Sequence, residues 1–137
     1  MAPTRIFIHG LESSSQGVKA QFFTEKFPDM LVPDFSGSLA VRMTRLQDIL
    51  RGISDVILVG SSFGGLMATL YSLEHEPLIR KIILLAPALN FDPSLSANNQ
   101  MITIPTWLYV GKMTKLLRLS WLRLWPNPFL VICVITW

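Results

Sequence analysis

Two short strings in this chain hold residue types that could attack a carbonyl group and stabilise the charge that results. The first is Gly60-Ser61-Ser62-Phe63-Gly64, where a serine has glycine two positions before it and two after. A serine hydroxyl is well presented on a sharp strand-to-helix turn, and small residues at those two positions let strand and helix approach closely. Centred on Ser61, the same positions would be Val59 and Phe63, so Ser62 is the candidate nucleophile. A helix opened by that turn adds unpaired N–H donors and a positive dipole end beside a developing oxyanion. The second string is His9-Gly10-Leu11. Together the strings offer two candidate oxyanion donors, the backbone N–H groups of Phe63 and Leu11, with Gly10 making the Leu11 turn flexible. For His9 the reading is architectural, a side chain bonded to its own loop, rather than catalytic.

These residues need strands and helices to carry them. Val56-Ile57-Leu58-Val59 is continuously apolar, as is a strand buried on both faces of a parallel sheet, and it runs directly into Gly60. Residues Phe63 to Leu73 read as a helix rich in small residues, broken by Pro77. Arg5 to His9 reads as a short buried strand ending at Gly10, Ile82-Ile83-Leu84-Leu85 as another, and Thr106 to Val110 as one more. Leu31-Val32 begins a brief strand before the turn cluster Pro33 to Gly37. Ser13-Ser14-Ser15 can cap a helix with Val18, Phe22, Phe23 and Phe27 on one side. Ser38 caps an amphipathic helix in which Leu39, Met43, Leu46, Ile49, Leu50 and Ile53 recur at three- and four-residue steps. Strands alternating with helices predict an α/β fold, a mostly parallel sheet with helices on both faces. Loops after the carboxyl ends of such strands share one crevice, so His9-Gly10-Leu11 and the Ser62 turn can face one cavity.

Composition narrows the functional classes. A chain of 137 residues, half of them hydrophobic and 15% charged, allows one folded domain and argues against disorder. A lone cysteine, Cys133, excludes an internal disulfide framework and fits a reducing compartment, so the expected location is cytoplasmic. No signal region follows the start, and the longest apolar run, Phe129 to Ile135, is far short of the roughly 18–20 residues of a bilayer span. The net charge of +3 belongs to the tail: all nine acids precede residue 93, while Lys112, Lys115, Arg118 and Arg123 have no acid among them. That distribution gives no basic face for nucleic acid.

The strings Arg5 to Gly17, Val59 to Gly65 and Leu84 to Asn90 resemble, as a set, the small YqiA-like bacterial esterases of the α/β-hydrolase superfamily. The resemblance covers about residues 5–111, read as the N-terminal part of an α/β-hydrolase core. It extends the elbow's glycines to Gly65. It implies acyl-ester hydrolysis by a Ser-Asp-His triad with no metal or cofactor. The acid should follow the strand at Thr106 to Val110, and the histidine should follow one further strand.

Here the pattern breaks. His75 lies on the helix that starts after Ser62, about 20 Å along it at 1.5 Å per residue, and His9 belongs to the Leu11 loop. Neither is a credible general base, which must reach the serine hydroxyl. Gly111-Lys112 is followed by Met113-Thr114-Lys115, with no acid. Asp92 could serve in a variant arrangement, although a hydrated loop aspartate is the plainer reading. Methionine and threonine codons read one base out of register force GAC, aspartate, preceded by asparagine or aspartate. The restored text, Gly-Lys-Asn-Asp-Glu-Val-x-Pro-like, resembles the expected acid loop. Residues 113–137 are therefore expected to be a frame-shifted translation, and the fold to be incomplete at the C-terminus. Alternatively, 112–137 is a genuine basic, aromatic tail whose Leu116, Leu119, Leu122 and Trp125 form a helix on anionic lipid.

The expected protein is a serine hydrolase of a small carboxylic ester or thioester, impaired because its acid and base are missing. The alternative is a non-catalytic α/β domain or inactive remnant. Neither substrate identity nor oligomeric state is legible.

Overall fold

The computed structural model describes residues 2–97, 100–111, 123–126 and 128–135. Strands β1 (Thr4–Ile8), β2 (Val56–Ser61), β3 (Ile79–Leu85), β4 (Thr106–Gly111) and β5 (Leu130–Ile135) form one sheet in sequential order, and every pairing is parallel. Helices α1 (Val18–Lys26), α2 (Leu39–Ile49), α3 (Phe63–Glu74) and the short α4 (Ser94–Ala97) lie between them. Leu31 makes a single parallel bridge to Ile6, so the brief strand expected at Leu31-Val32 is reduced to one rung.

The alternation of side chains along each strand divides the core. Ile6, Ile8, Leu58, Ile82, Leu84 and Leu108 face α2 and α3, in one cluster with Leu46, Leu50, Leu66 and Met67. Phe7, Val59, Ile57, Ile83 and Leu85 face the other way, toward Ala20 and Phe23 of α1. Helices therefore cover both faces, as the continuously apolar strands require.

Two helices differ from expectation in instructive ways. The α1 cap is Gly17, without a side-chain capping bond. Two of the three serines are used elsewhere: Ser14 Oγ accepts the Gln16 N–H, and Ser15 donates its N–H and O–H to the Asp34 carboxylate at 2.6 and 2.9 Å. Val18, Phe22 and Phe27 are also not buried beside Phe23. Val18 is 88% exposed and Phe22 50%, because the buried stripe runs through Ala20 and Phe23, three residues apart. On α2, Ser38 Oγ accepts the Val41 N–H as expected, and Leu46 and Leu50 are buried. That buried face also carries Arg42.

The tail supplies structure as well. Trp125 is buried and its Nε1–H donates to Thr106 Oγ1 at 2.8 Å, pinning the approach to β5 against the start of β4. A tryptophan so engaged does not face a lipid surface, which corrects the lipid-helix expectation at that residue. The rest of that expectation, Leu116, Leu119 and Leu122, lies outside the described residues, as does the expected acid loop at 112–115.

Candidate active site

The register of β1 and β2 sets Ile8 opposite Gly60, so the chain leaves both strands side by side at their carboxyl ends. From β1 comes His9-Gly10-Leu11; from β2 comes the turn into α3. A Cβ placed on Gly10 would stand 3.5 Å from the Ser62 Cβ, so the loop lies directly against this serine. The two strings converge on one cleft of about 500 Å³, walled by Phe7, Leu11, Val18, Phe63 and Phe91, with Glu12 and Lys19 at its polar side. Val18, 88% exposed, stands at its rim.

Ser62 adopts φ 54° and ψ −115°, a left-handed conformation that costs a non-glycine residue of order 1–3 kcal/mol. Its own backbone holds it there. The Ser62 N–H donates to Leu85 O, and its carbonyl accepts from Gly65, Leu66 and Ala88. Both serines border the cleft, but Ser61 is buried, 8% exposed, whereas Ser62 is exposed to it.

Three glycines permit the strained turn. A Cβ on Gly60 would collide with the Gly64 carbonyl and lie 2.7 Å from Gly65 Cα. One on Gly64 would collide with Ile8 O and lie 2.7 Å from His9 O. One on Gly65 would meet Pro87 Cβ at 2.7 Å. The start of α3 is thus pressed onto the ends of β1 and β2 and onto the loop after β3. In that loop Ala86 is also left-handed, at φ 45°, with its N–H on Tyr109 O.

Among the described residues, neither the Leu11 nor the Phe63 N–H has an acceptor. His9, 1% exposed, uses both ring nitrogens: Nδ1 lies 2.7 Å from Gly10 O, and Nε2 accepts the Phe35 N–H at 2.9 Å. Nε2 must carry the lone pair and Nδ1 the proton, so the ring bonds within its loop and has no nitrogen left for Ser62. His75 caps the far end of the 12-residue α3, stacked on Tyr71 at 4.1 Å. Asp92 accepts from the Ser94 N–H and O–H at the start of α4. The structure brings Ser62, Leu11, Phe63, His9 and the glycines together and holds His75 at the far end of α3, while Asp92, next to Phe91 of the cleft wall, has its carboxylate on Ser94.

Two contributors are not evident from local sequence pattern. Arg42, 4% exposed, donates from Nε to Gly37 O at 2.9 Å and from Nη2 to Leu11 O at 3.2 Å, and its guanidinium lies 5.4 Å from the Phe63 ring centroid. Burial pulls its pKa below the usual arginine value. Its signal was a cation inside an apolar stripe, three residues after Leu39 and four before Leu46. Asp34 tethers Ser15, and the Ser15 N–H and O–H hold its carboxylate pKa below the ordinary 3.8.

A parallel sheet with a strained serine turn at its carboxyl edge is the architecture of the α/β-hydrolase fold. Residues 28–127 match the model of the family described as serine aminopeptidase, S33, and the chain belongs to that family. No curated protein matches the sequence to significance. Solved structures of similar fold include the mouse α/β hydrolase domain-containing protein 10 (16% identity, TM-score 0.74, covering 98% of this chain and 80% of that one). Est1E from Butyrivibrio proteoclasticus, with ferulic acid bound, is similar at 14% identity and TM-score 0.75, covering 98% and 80%. A monoacylglycerol lipase from Paleococcus ferrophilus is similar at 16% identity and TM-score 0.72, covering 96% and 83%. Among the described residues, no helix is long and apolar enough to cross a membrane.

Proposed function

We propose that this chain carries the nucleophilic half of a serine hydrolase site for small carboxylic esters or thioesters. Ser62 Oγ attacks the carbonyl carbon, the carbonyl electron pair moves onto oxygen, and the Leu11 and Phe63 N–H groups receive that oxyanion. Collapse breaks the acyl C–O or C–S bond and the proton lost by Ser62 leaves on the alcohol or thiol; water then adds to the acyl-enzyme, releasing the acid and returning a proton to Ser62 Oγ. The observation that carries this reading is the open, left-handed Ser62 beside two N–H donors that have no acceptor among the described residues. The apolar walls at Phe7, Leu11, Val18, Phe63 and Phe91 suit a small acyl group. An ester reading also agrees with the esterase and lipase named among the similar structures. Within the family, the strings at 5–17, 59–65 and 84–90 favour the YqiA-like esterases, working in the cytoplasm without metal or cofactor.

A fluorophosphonate probe tests the reading. Labelling at Ser62 that disappears in Ser62→Ala supports it; well-folded protein that never labels refutes it.

A second reading, an inactive remnant, is favoured by one observation: both His9 nitrogens are engaged and His75 lies at the far end of α3. Without a base and its acid, turnover falls by roughly 10⁴–10⁶. We attribute the gap to a frame-shift within residues 113–137, with 1–111 as the hydrolase core; the buried Trp125, the paired β5 and the family match to residue 127 are the observations that count against it. Resequencing the locus decides this, since an alternative frame with no downstream histidine and no further strand pattern ends the idea.

A further inference from the structure

The peptide groups on either side of Leu11 are each held by a buried side chain. His9 Nδ1 lies on Gly10 O, the carbonyl of the Gly10–Leu11 peptide. Because that peptide is planar and trans, fixing its carbonyl also fixes the direction of the Leu11 N–H. Arg42 Nη2 lies on Leu11 O, the carbonyl of the following peptide. Leu11 is thereby clamped from both sides, and one of the clamps is charged.

The charge is unbalanced. Among the described residues, the ion pairs are Arg51–Asp48 and Arg80–Asp55, and no carboxylate pairs with Arg42. Its acceptors are two neutral carbonyls, Gly37 O and Leu11 O, and its remaining nitrogen, Nη1, is buried with no hydrogen-bond partner. The same guanidinium stands over the Phe63 ring, so it touches both residues whose N–H groups flank Ser62. A buried cation without a counter-ion lowers the free energy of any anion that settles beside it.

We propose that Arg42 is a positioning residue that makes the space between Leu11 and Phe63 a binding site for small monocarboxylates, the acids that ester cleavage releases. This rests on the reading of that space as the oxyanion hole. Arg42 holds the Leu11 peptide in place and supplies the net positive charge, while the Leu11 and Phe63 N–H groups make the contact. Product acid therefore competes with substrate for Ser62, and the carboxylate is preferred over its neutral amide isostere.

The test is a titration of the full, nitrogen-15-labelled chain with acetate, followed at the Leu11 and Phe63 amide resonances at constant ionic strength. Acetamide serves as the neutral comparison. Both resonances are expected to shift with acetate, at least about tenfold more tightly than with acetamide. Arg42→Met should abolish that preference, Arg42→Lys should recover part of it, and the exposed Arg51→Met should leave it intact. Equal affinity for acetate and acetamide in the unaltered chain overturns the proposal without any variant having to fold. So does the absence of shifts at Leu11 and Phe63, or unchanged acetate affinity in folded Arg42→Met. Fluorophosphonate labelling of the same samples separates the two claims. Acetate selectivity without labelling leaves Arg42 in this role and removes the hydrolase, whereas labelling without selectivity does the reverse.

Discussion

Replacing Gly64 with alanine sets two effects of opposite sign against each other. Gly64 lies in the first turn of α3, where glycine costs a helix about 1 kcal/mol relative to alanine, so propensity alone expects a more stable protein. Packing expects the opposite. The new methyl would collide with Ile8 O and lie 2.6 Å from Ile8 C and 2.7 Å from His9 O. These are main-chain atoms at the end of a central-sheet pairing, and no rotamer change moves them aside. Either α3 or the end of β1 must shift by a sizeable fraction of an ångström. Overpacking of this kind costs up to about 3 kcal/mol. Set against the helix gain, the net is a loss of about 2 kcal/mol, or a Tm lower by about 5–10 °C for a domain of this size. Thermal and urea unfolding followed by far-ultraviolet circular dichroism measures it. A Gly64→Ala protein as stable as the parent, or more so, refutes the tight seating of α3 on β1 and the account of why the turn at Ser62 is glycine-flanked.

Other substitutions read separate parts of the structure. Ser61→Ala is expected to keep fluorophosphonate labelling within about threefold of the parent, because Ser61 is buried in β2 and Ser62 is the exposed serine of the cleft; mass-spectrometric mapping of the label checks it. Ser38→Ala removes the bond from the Val41 N–H and should cost about 1 kcal/mol in urea unfolding. Asp34 has a folded pKa below 3.8, lowered by the Ser15 N–H and O–H, so its stabilisation is complete above that value and fades as pH falls through the folded pKa. Tm measured from neutral to acidic pH should therefore drop less steeply for Asp34→Asn than for the parent, and parallel curves would count against the tether. Trp125→Phe loses the bond to Thr106 Oγ1 and should cost about 1 kcal/mol, whereas no loss would detach the segment before β5 from β4.

The parts legible in the sequence were those set by local pattern. Gly60, Ser62 and Gly64 identify the turn because a strained serine between a buried strand and a helix tolerates only small neighbours there, and the clashes at Gly60 and Gly64 are that requirement in coordinates. The unbroken apolar runs at Val56–Val59 and Ile82–Leu85 read as strands covered on both sides for the same local reason. Ser38 announced α2 because a capping bond reaches only three residues.

What tertiary structure alone decided depends on residues far apart in the chain. Phe22 and Phe23 are equally apolar, yet only Phe23 packs against Phe7, because β1 fixes which side of α1 is inside. The three serines before α1 read as caps, but Asp34 claims Ser15 across 19 residues. Pattern gave the last strand no place, and β5 exists by pairing with β4, six residues in register. Arg42 looks like a surface cation until Leu11 O, 31 residues away, and Phe63 close around it. Whether that helical arginine is solvated or buried beside Ser62 is set by where α2 docks, and spacing along one helix carries no information about the loop it meets.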